Sequence, residues 1–161
     1  MGRAARKLAG PDVNKIVNEL NKALADEWLA YLQYTNAAKI INGKMFPFVV
    51  GELESIAKEE LEHADELIGR IIQLGGKPIV DPKEYYKKTN CGYEIPTESV
   101  TKTVKAGLKG EACAISVYDK IATMTREKDV VTFNLMIHIM EEELDHEQRF
   151  EDILEALEAR R

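Results

Sequence analysis

Apolar side chains recur at helical spacing near the start of the chain. With about 3.6 residues per turn, positions three and four apart share one face of a helix. Asp12 is a suitable N-cap after Gly10-Pro11, and Asn42-Gly43 supplies the turn chemistry that ends a helix. We therefore predict a first long helix, helix A, from about Asp12 to Ile41, with an apolar face formed by Ile16, Leu20, Ala23, Leu24, Trp28 and Tyr31.

The breaks between the later apolar stretches predict three more long helices. The connection at Lys77–Pro96 is too rich in proline to be one helix, although the run DPKEYYKK within it favours a short one. The remaining helices are helix B over about Pro47–Gly75, helix C over Thr97–Arg126, and helix D from about Asp129 towards the end of the chain.

The short, long, short order of the connections determines the architecture. Helices A and B form one antiparallel hairpin, helices C and D form another, and the long connection crosses the bundle to place helix C. Helices of about 25–30 residues are roughly 40 Å long at a rise of 1.5 Å per residue. The sequence thus predicts an all-α protein, a four-helix bundle with one long B–C crossover connection.

Composition and charge set limits on the type of protein. The length and the 45% hydrophobic content fit a single domain over residues 1–161. Since there is no apolar stretch of membrane-spanning length and no signal-peptide core, a cytoplasmic protein is expected. The net charge of −6 argues against a general nucleic-acid-binding surface. Although Arg3, Arg6 and Lys7 could let a short tail touch DNA, we expect residues 1–11 to be a flexible, solvated tail.

Two Glu-x-x-His pairs form the most informative pattern of polar residues. Glu60-x-x-His63 and Glu143-x-x-His146 lie 83 residues apart. Glu27 precedes the glutamate of the first pair by 33 residues, and Glu111 precedes that of the second by 32. The chain therefore contains a doubled unit, with a single glutamate on one helix and Glu-x-x-His on the next.

This doubled unit supplies a ligand set for two metal ions. Residues three apart on a helix share a face, so each pair presents a carboxylate and an imidazole to one site. Four carboxylates balance the charge of two divalent ions. A ligand shell of carboxylates and imidazoles favours iron or manganese. The expected ligands are two bridging glutamates, Glu60 and Glu143, and two terminal pairs, Glu27 with His63 and Glu111 with His146.

Chance is the alternative explanation for these pairs. A single Glu-x-x-His arises easily on an exposed face of a glutamate-rich helix. Here two of the three histidines carry the motif, and both belong to the repeat. The third, His138, lies five residues before Glu143 and is turned away from the ligand face, so we expect a partly buried or interface histidine rather than a ligand.

Three further side chains lie close to the expected ligands in sequence. Tyr34 follows Glu27 by seven residues, where it could donate an electron or a hydrogen bond at the site, or simply pack in the core. Cys113 follows Glu111 by two residues, and Cys91 lies in the crossover connection. Two reduced, inert thiols and a disulfide that acts as a redox relay or a latch both fit this placement.

These residues resemble the bacterioferritin-type di-iron site of the ferritin-like superfamily. The resemblance extends over about 18–157 and includes the runs ADEWLAYLQY, EELEHADELIGRIIQLGGKP and IMEEELDHEQRFEDIL. Tyr34 matches a tyrosine commonly found beside that site. Leu61 stands where bacterioferritins carry a haem-binding methionine, so no haem is expected. Since the chain stops at Arg161, without the fifth helix of ferritins and bacterioferritins, the larger shell built around that helix is not expected either.

The resemblance narrows to Dps-like miniferritins with a bacterioferritin-type site, sometimes called thioferritins. That group carries one cysteine in the B–C connection and another on helix C just after its glutamate, and Cys91 and Cys113 match both. The resemblance implies a hollow homo-oligomer, a dodecamer, with two iron ions per subunit that manganese or zinc could replace. It also implies a ferroxidase that detoxifies ferrous iron and hydrogen peroxide, uses hydrogen peroxide or dioxygen as oxidant, and stores ferric oxide.

The sequence leaves two other functions open. One is a di-metal peroxidase or catalase without iron storage, similar to rubrerythrin, erythrin or manganese catalase. The two isolated cysteines exclude a rubredoxin module, so such an enzyme would be a stand-alone domain. The other is a metal-free helical interaction protein, which would require exposed ligand faces and leaves the doubled spacing unexplained.

Overall fold

The computed structural model describes residues 2–159. It confirms the predicted architecture, an all-α bundle of four long helices with a long crossover between the second and the third. No helix in the described range combines the length and the apolar content needed to span a membrane. In chain order the helices are α1 (Arg3–Ala9), α2 (Val13–Ile40), α3 (Phe46–Gln73), α4 (Pro82–Lys88), α5 (Val100–Thr125) and α6 (Val130–Glu158), with a short 3-10 turn at Gly10–Asp12.

The ends of the long helices follow local chemistry. Helix α5 begins after Ser99, whose side chain accepts a hydrogen bond from a first-turn N–H at 3.4 Å, two residues after the Thr97 cap expected from the sequence. Asp129 caps α6 in the same way, accepting from the Thr132 N–H at 3.3 Å. Just beyond α3, Gly75 has a φ of 73°, a left-handed conformation that favours glycine. Turn and cap residues therefore place the long helices close to their predicted positions.

The N-terminus differs from the flexible tail expected over residues 1–11. Arg3–Ala9 form helix α1, and Ala9 is buried in the same apolar cluster as Val13 and Leu74. The Arg6 guanidinium donates to the Leu74 carbonyl at 3.1 Å, at a helix end where carbonyls lack intrahelical partners. The alanine, leucine, lysine and arginine of this segment favour helix, and the end of α3 gives that helix a surface to pack on. Met1 lies outside the described residues.

Two large apolar clusters fill the bundle and leave a polar layer between them. On α3 the layer lies between Ile56 of one cluster and Leu67 of the other. On α6 it lies between Ile139, which belongs to the same cluster as Leu67, and Phe150, which belongs to the same cluster as Ile56. Both Glu-x-x-His motifs fall inside these intervals, so the core packing brings them to the same level of the bundle.

The crossover connection is attached to two helices of the bundle, α2 and α5, close to candidate ligands in sequence. On α2, the buried carboxylate of Asp26 accepts hydrogen bonds from the Thr89 hydroxyl, from the Asn90 backbone and side chain at 2.8 and 2.7 Å, and from the Cys91 N–H at 2.9 Å. A disulfide joins Cys91 to Cys113 on α5. Of the two arrangements that the sequence left open for the cysteines, the structure has the disulfide.

Replacing both cysteines by serine is expected to lower the free energy of unfolding by about 3 kcal/mol, the loop-closure value for a cross-link of this span. Cys91 and Cys113 are 22 residues apart, and the bond restricts the unfolded chain over that length. Denaturant unfolding of C91S/C113S and of the wild type at equal subunit concentration measures the difference. An unchanged midpoint would contradict the predicted contribution.

Candidate metal centre

The six expected ligand side chains meet in the polar layer of the bundle. Each is at most 2% exposed, and they are Glu27, Glu60, His63, Glu111, Glu143 and His146. Their ligand atoms form two groups, each with its members within 4.8 Å of one another: Glu27, Glu60, His63 and Glu143 in one group, and Glu60, Glu111, Glu143 and His146 in the other. Because Glu60 and Glu143 belong to both groups, they occupy the positions between two candidate ion sites.

The contacts of the histidine rings define the geometry of both groups. His63 Nδ1 lies 3.3 Å from Glu60 Oε2 and 3.3 Å from Glu143 Oε1. His146 Nδ1 lies 3.2 Å from Glu143 Oε2 and 3.5 Å from Glu60 Oε1. Each shared carboxylate therefore turns one oxygen towards each histidine, an arrangement in which it could offer one oxygen to each of two ions.

Three carboxylate oxygens of the cluster are buried without a hydrogen bond from any described residue. They are Oε2 of Glu27, Oε1 of Glu60 and Oε1 of Glu143. Burying an acceptor without a partner costs free energy, and a cation in the cluster would offset that cost. Together with the two histidine nitrogens these oxygens form a donor set that suits iron, manganese or zinc. The residues present therefore fit a pair of such ions.

Burial and crowding determine the protonation of the cluster when no metal is bound. Burial, together with the charges of Glu60 and Glu143, raises the pKa of Glu27 well above that of an ordinary glutamate. The pKa of Glu111 is raised well above the ordinary value for the same reasons. Burial alone would lower the pKa of His146, but its hydrogen bond to Glu143 and the nearby carboxylate of Glu60 outweigh it and raise the value to about 11. Protons thus occupy the cluster at neutral pH.

Each histidine also contacts a carboxylate that sequence analysis did not single out. His63 Nε2 donates to Glu142 at 2.7 Å, and His146 Nε2 donates to Glu59 at 2.9 Å. Arg149 donates in turn to Glu59 at 2.8 Å. A carboxylate behind a metal-binding histidine orients the ring and leaves its other nitrogen to the metal. The sequence contains a sign of these two carboxylates, because in each motif the candidate ligand glutamate directly follows another glutamate, Glu59 or Glu142.

Two tyrosines contact the single glutamates across the bundle. The Tyr34 hydroxyl of α2 donates to Glu111 of α5, and the Tyr118 hydroxyl of α5 donates to Glu27 of α2. Burial and the nearby carboxylates raise the pKa of both phenols well above the usual value, so both remain neutral donors. Sequence analysis missed Tyr118, although it follows Glu111 by seven residues just as Tyr34 follows Glu27. The doubled unit therefore includes a tyrosine.

His138 lies outside the cluster. Its side chain is 51% exposed in the single subunit, so of the two positions expected from the sequence, partly buried or at an interface, it is not the partly buried one. Its Nε2 lies 3.7 Å from Glu66 Oε1 and 4.0 Å from Glu142 Oε1. His138 belongs to neither ligand group found in the described part of the chain.

Comparison with known proteins identifies the class to which this fold and cluster belong. Residues 17–159 match the ferritin family, described as a ferritin-like domain, and the chain therefore belongs to that family. Within the family, the resemblance to Dps-like miniferritins inferred from the ligands and cysteines is confirmed by the relatives it matches.

Three of these relatives span nearly the whole chain. The DNA protection during starvation protein of Pyrococcus furiosus is 33% identical over 150 residues, covering 90% of this chain and 80% of that protein. The bacterioferritin of Desulfovibrio desulfuricans is 28% identical over 140 residues, covering 86% and 74%. The solved structure of a dodecameric thioferritin, the bacterioferritin-related protein of Bacteroides fragilis, has a TM-score of 0.95 at 37% identity and covers 98% of this chain and 95% of that one.

Proposed function

We propose that this protein oxidises ferrous iron at an intrasubunit di-iron site and stores the ferric product inside a homo-oligomeric cage, a dodecamer. The observation that carries the proposal is the pair of buried ligand groups that share Glu60 and Glu143. Iron storage and protection against oxidative damage are the general functions that the family relationship supports. The dodecameric state of the similar Bacteroides fragilis protein supports the proposed assembly.

The proposed reaction has a simple electron balance. Two ferrous ions, the substrates, give up one electron each, and hydrogen peroxide takes both electrons and two protons to become two water molecules. Dioxygen is the alternative oxidant. The cluster binds the ions side by side in a buried, low-dielectric site, which holds both electron donors close to one oxidant molecule.

The residues of the cluster divide this work. Glu60 and Glu143 are the proposed bridges, and a terminal glutamate and a histidine complete each shell. The carboxylates behind the histidines keep both Nδ1 atoms directed into the cluster. Tyr34 is proposed as an auxiliary donor beside Glu111, and Cys91 and Cys113 as a redox-active pair beside the site. The absence of haem and a cytoplasmic location stay predictions from the sequence.

A metal-free interaction protein is disfavoured by burial. That function would need the ligand-bearing helix faces at the surface, whereas all six ligand side chains are at most 2% exposed. A di-metal peroxidase or catalase would use the same cluster. Particle mass and iron content distinguish that function from the proposed one.

Particle mass and iron content, measured on the same sample, test the proposed function. We expect an assembly of about twelve subunits, closed by symmetry. After addition of ferrous iron and hydrogen peroxide it should hold far more than the roughly two ions per chain that the cluster alone would bind. A monomer or dimer that saturates at about two metals per chain would instead identify a peroxidase or catalase.

Metal binding is expected to release protons and to weaken as the pH falls. Burial lowers the pKa of His63, but the nearby carboxylates of Glu143, Glu27 and Glu60 outweigh it and raise the pKa well above neutrality. The pKa of His146 is raised to about 11. Both rings therefore carry two protons at neutral pH, and an ion must displace the Nδ1 proton before it binds. Because each pKa lies above the working pH, every step to lower pH favours the protonated, metal-free state.

Zinc titration in a weakly buffered solution with a pH indicator measures this release. We expect at least about two protons per pair of ions, one from each histidine. Zinc binding without proton release between about pH 6 and pH 8 would contradict the proposed protonation of the cluster.

A further inference from the structure

A cavity of about 390 Å³ reaches the ligand cluster from between α2, α5 and crossover residues 91–94. Four of the six expected ligands line it, and all four are carboxylates: Glu27, Glu60, Glu111 and Glu143. The lining includes neither His63 nor His146, nor the carboxylates behind them. The cluster therefore has a carboxylate side that faces the cavity and a histidine side that does not.

The charges along the cavity suit a cation. Asp26 and Glu94 add two further carboxylates to the lining, and Lys109 is the one basic side chain among the described residues that line it. Glu94 and Lys109 form an ion pair at 3.6 Å, with their side chains 54% and 79% exposed, so they stand where the cavity meets solvent. Carboxylates therefore outnumber the one cation of the lining, and an excess of one sign of charge in a cleft speeds the arrival of an oppositely charged ligand by about 10–1,000-fold.

The inner end of the cavity offers the cation a place to bind. The three buried carboxylate oxygens without a hydrogen bond from a described residue belong to Glu27, Glu60 and Glu143, which line the cavity. The cavity volume is many times the roughly 30 Å³ that one water molecule occupies in the liquid. The cavity therefore has room for an ion with its water shell.

The crossover wall of the cavity is held in place on several sides. Asp26 accepts the Cys91 N–H at 2.9 Å, and the disulfide attaches the same residue to α5. Farther along the wall, Gln33 of α2 accepts the Glu94 N–H at 2.8 Å. These contacts preserve the space between helix and loop, so the cavity exists without any movement of the connection.

We propose that this cavity is the route by which divalent iron reaches the cluster, with Glu94 and Lys109 as the charged pair that sets its uptake rate. The proposal rests on the ferroxidase function above and adds the direction of access: ions arrive at the carboxylate side and meet the histidines last. Glu94 attracts the ion at the mouth of the cavity, and Lys109 opposes it.

Narrowing the cavity tests the route. Ala106 and Ala114 line it without being expected ligands, and Ala106→Leu and Ala114→Leu place a larger apolar side chain in the space. Cobalt(II) binding to the assembled protein, followed by its visible absorbance in a stopped-flow instrument, should be about tenfold slower in each variant. The number of cobalt ions bound at equilibrium should stay the same. Ala156→Leu is the matched control, since Ala156 lines a separate cavity with Leu157, and its rate should equal that of the wild type.

Substitutions in the exposed pair of Glu94 and Lys109 test whether charge at the mouth of the cavity affects the rate of ion uptake, and they leave the buried core unaltered. Glu94→Gln should slow cobalt binding about threefold at low salt, and Lys109→Gln should accelerate it by a similar factor. Both differences should shrink at about 1 M salt, where charges are screened beyond roughly 3 Å. Lys39→Gln makes the same change in net charge in an exposed pair with Glu54, outside the lining, and should leave the rate unchanged.

The outcomes separate the route from the function. If the wild type binds no cobalt at the cluster, the proposed di-metal function is wrong. If the wild type binds cobalt and every cavity and charge variant binds it at the wild-type rate, the route is wrong while the function stands. Should a leucine variant fail to assemble, the exposed Glu94 and Lys109 variants decide the matter.

Discussion

Glu143→Ala is expected to slow rapid iron oxidation by at least about 100-fold, because even residues behind a metal ligand cost about 10–100-fold when removed. Glu143 turns Oε1 towards His63 at 3.3 Å and Oε2 towards His146 at 3.2 Å, so its loss removes a donor from both ion positions. Glu60→Ala should have the same effect, since Glu60 is the other shared carboxylate. Stopped-flow absorbance of the ferric product after mixing with ferrous iron and hydrogen peroxide measures the rate.

Exposed glutamates on the same helices provide matched controls for these variants. Glu141 lies on α6 and Glu62 on α3, and both are exposed. Glu141→Ala and Glu62→Ala make the same chemical change on the same helices and should oxidise iron at the wild-type rate. Far-ultraviolet circular dichroism should show all four variants to be helical. Wild-type oxidation rates in both Glu60→Ala and Glu143→Ala would reject the site assignment.

Arg70→Met is expected to lower the free energy of unfolding by about 3–5 kcal/mol, the usual cost of removing one partner from a buried ion pair. The Arg70 guanidinium donates to both carboxylate oxygens of Asp129 at 2.6 and 2.8 Å and to the Thr132 hydroxyl at 2.8 Å. Asp129 is fully buried and also caps α6, so the variant leaves an uncompensated carboxylate at the α5–α6 turn. Urea unfolding at fixed subunit concentration measures the loss.

Two comparisons determine whether the buried charge causes that loss. Lys39→Met removes the cation of an exposed pair with Glu54, where the expected cost is at most about 1 kcal/mol. Arg70→Met combined with Asp129→Asn keeps a capping side chain but removes the stranded charge, and this double variant should recover part of the stability. If Arg70→Met destabilises no more than Lys39→Met, the buried pair has no special role.

The clustering of the candidate ligands could be predicted because residues at a fixed spacing on a helix point in a fixed direction. Glu60 and His63 are three apart, so a single helix face presents both, and the same is true of the second pair. The N-terminus was predicted less well, because the contact that holds α1 joins Arg6 to Leu74, 68 residues away. The sequence of this basic, alanine-rich segment does not indicate whether the folded bundle provides a surface on which it can pack as a helix.

In the ligand cluster, too, local spacing could be predicted from the sequence and long-range contacts could not. The doubled spacing identified all six candidate ligands, and it also marks Tyr118, Glu59 and Glu142, but the contacts that these three residues make are decided only where the helices meet. The cross-bundle contacts from the tyrosines join residues 77 and 91 apart, and those from the histidines join residues 79 and 87 apart. Such contacts depend on how far one helix is shifted along another, and that shift is set by the packing of the two apolar clusters.

By itself, the sequence determined the class of fold, the four long helices, the crossover and the candidate ligand residues, because periodicity, caps and spacing act within a few turns of one chain segment. Only the tertiary structure decided which oxygen of each shared carboxylate faces which histidine, that Cys91 and Cys113 are bonded, and that a cavity leads to the carboxylate side of the cluster. Those features arise between segments, from burial and long-range contact, and no local pattern of residues specifies them.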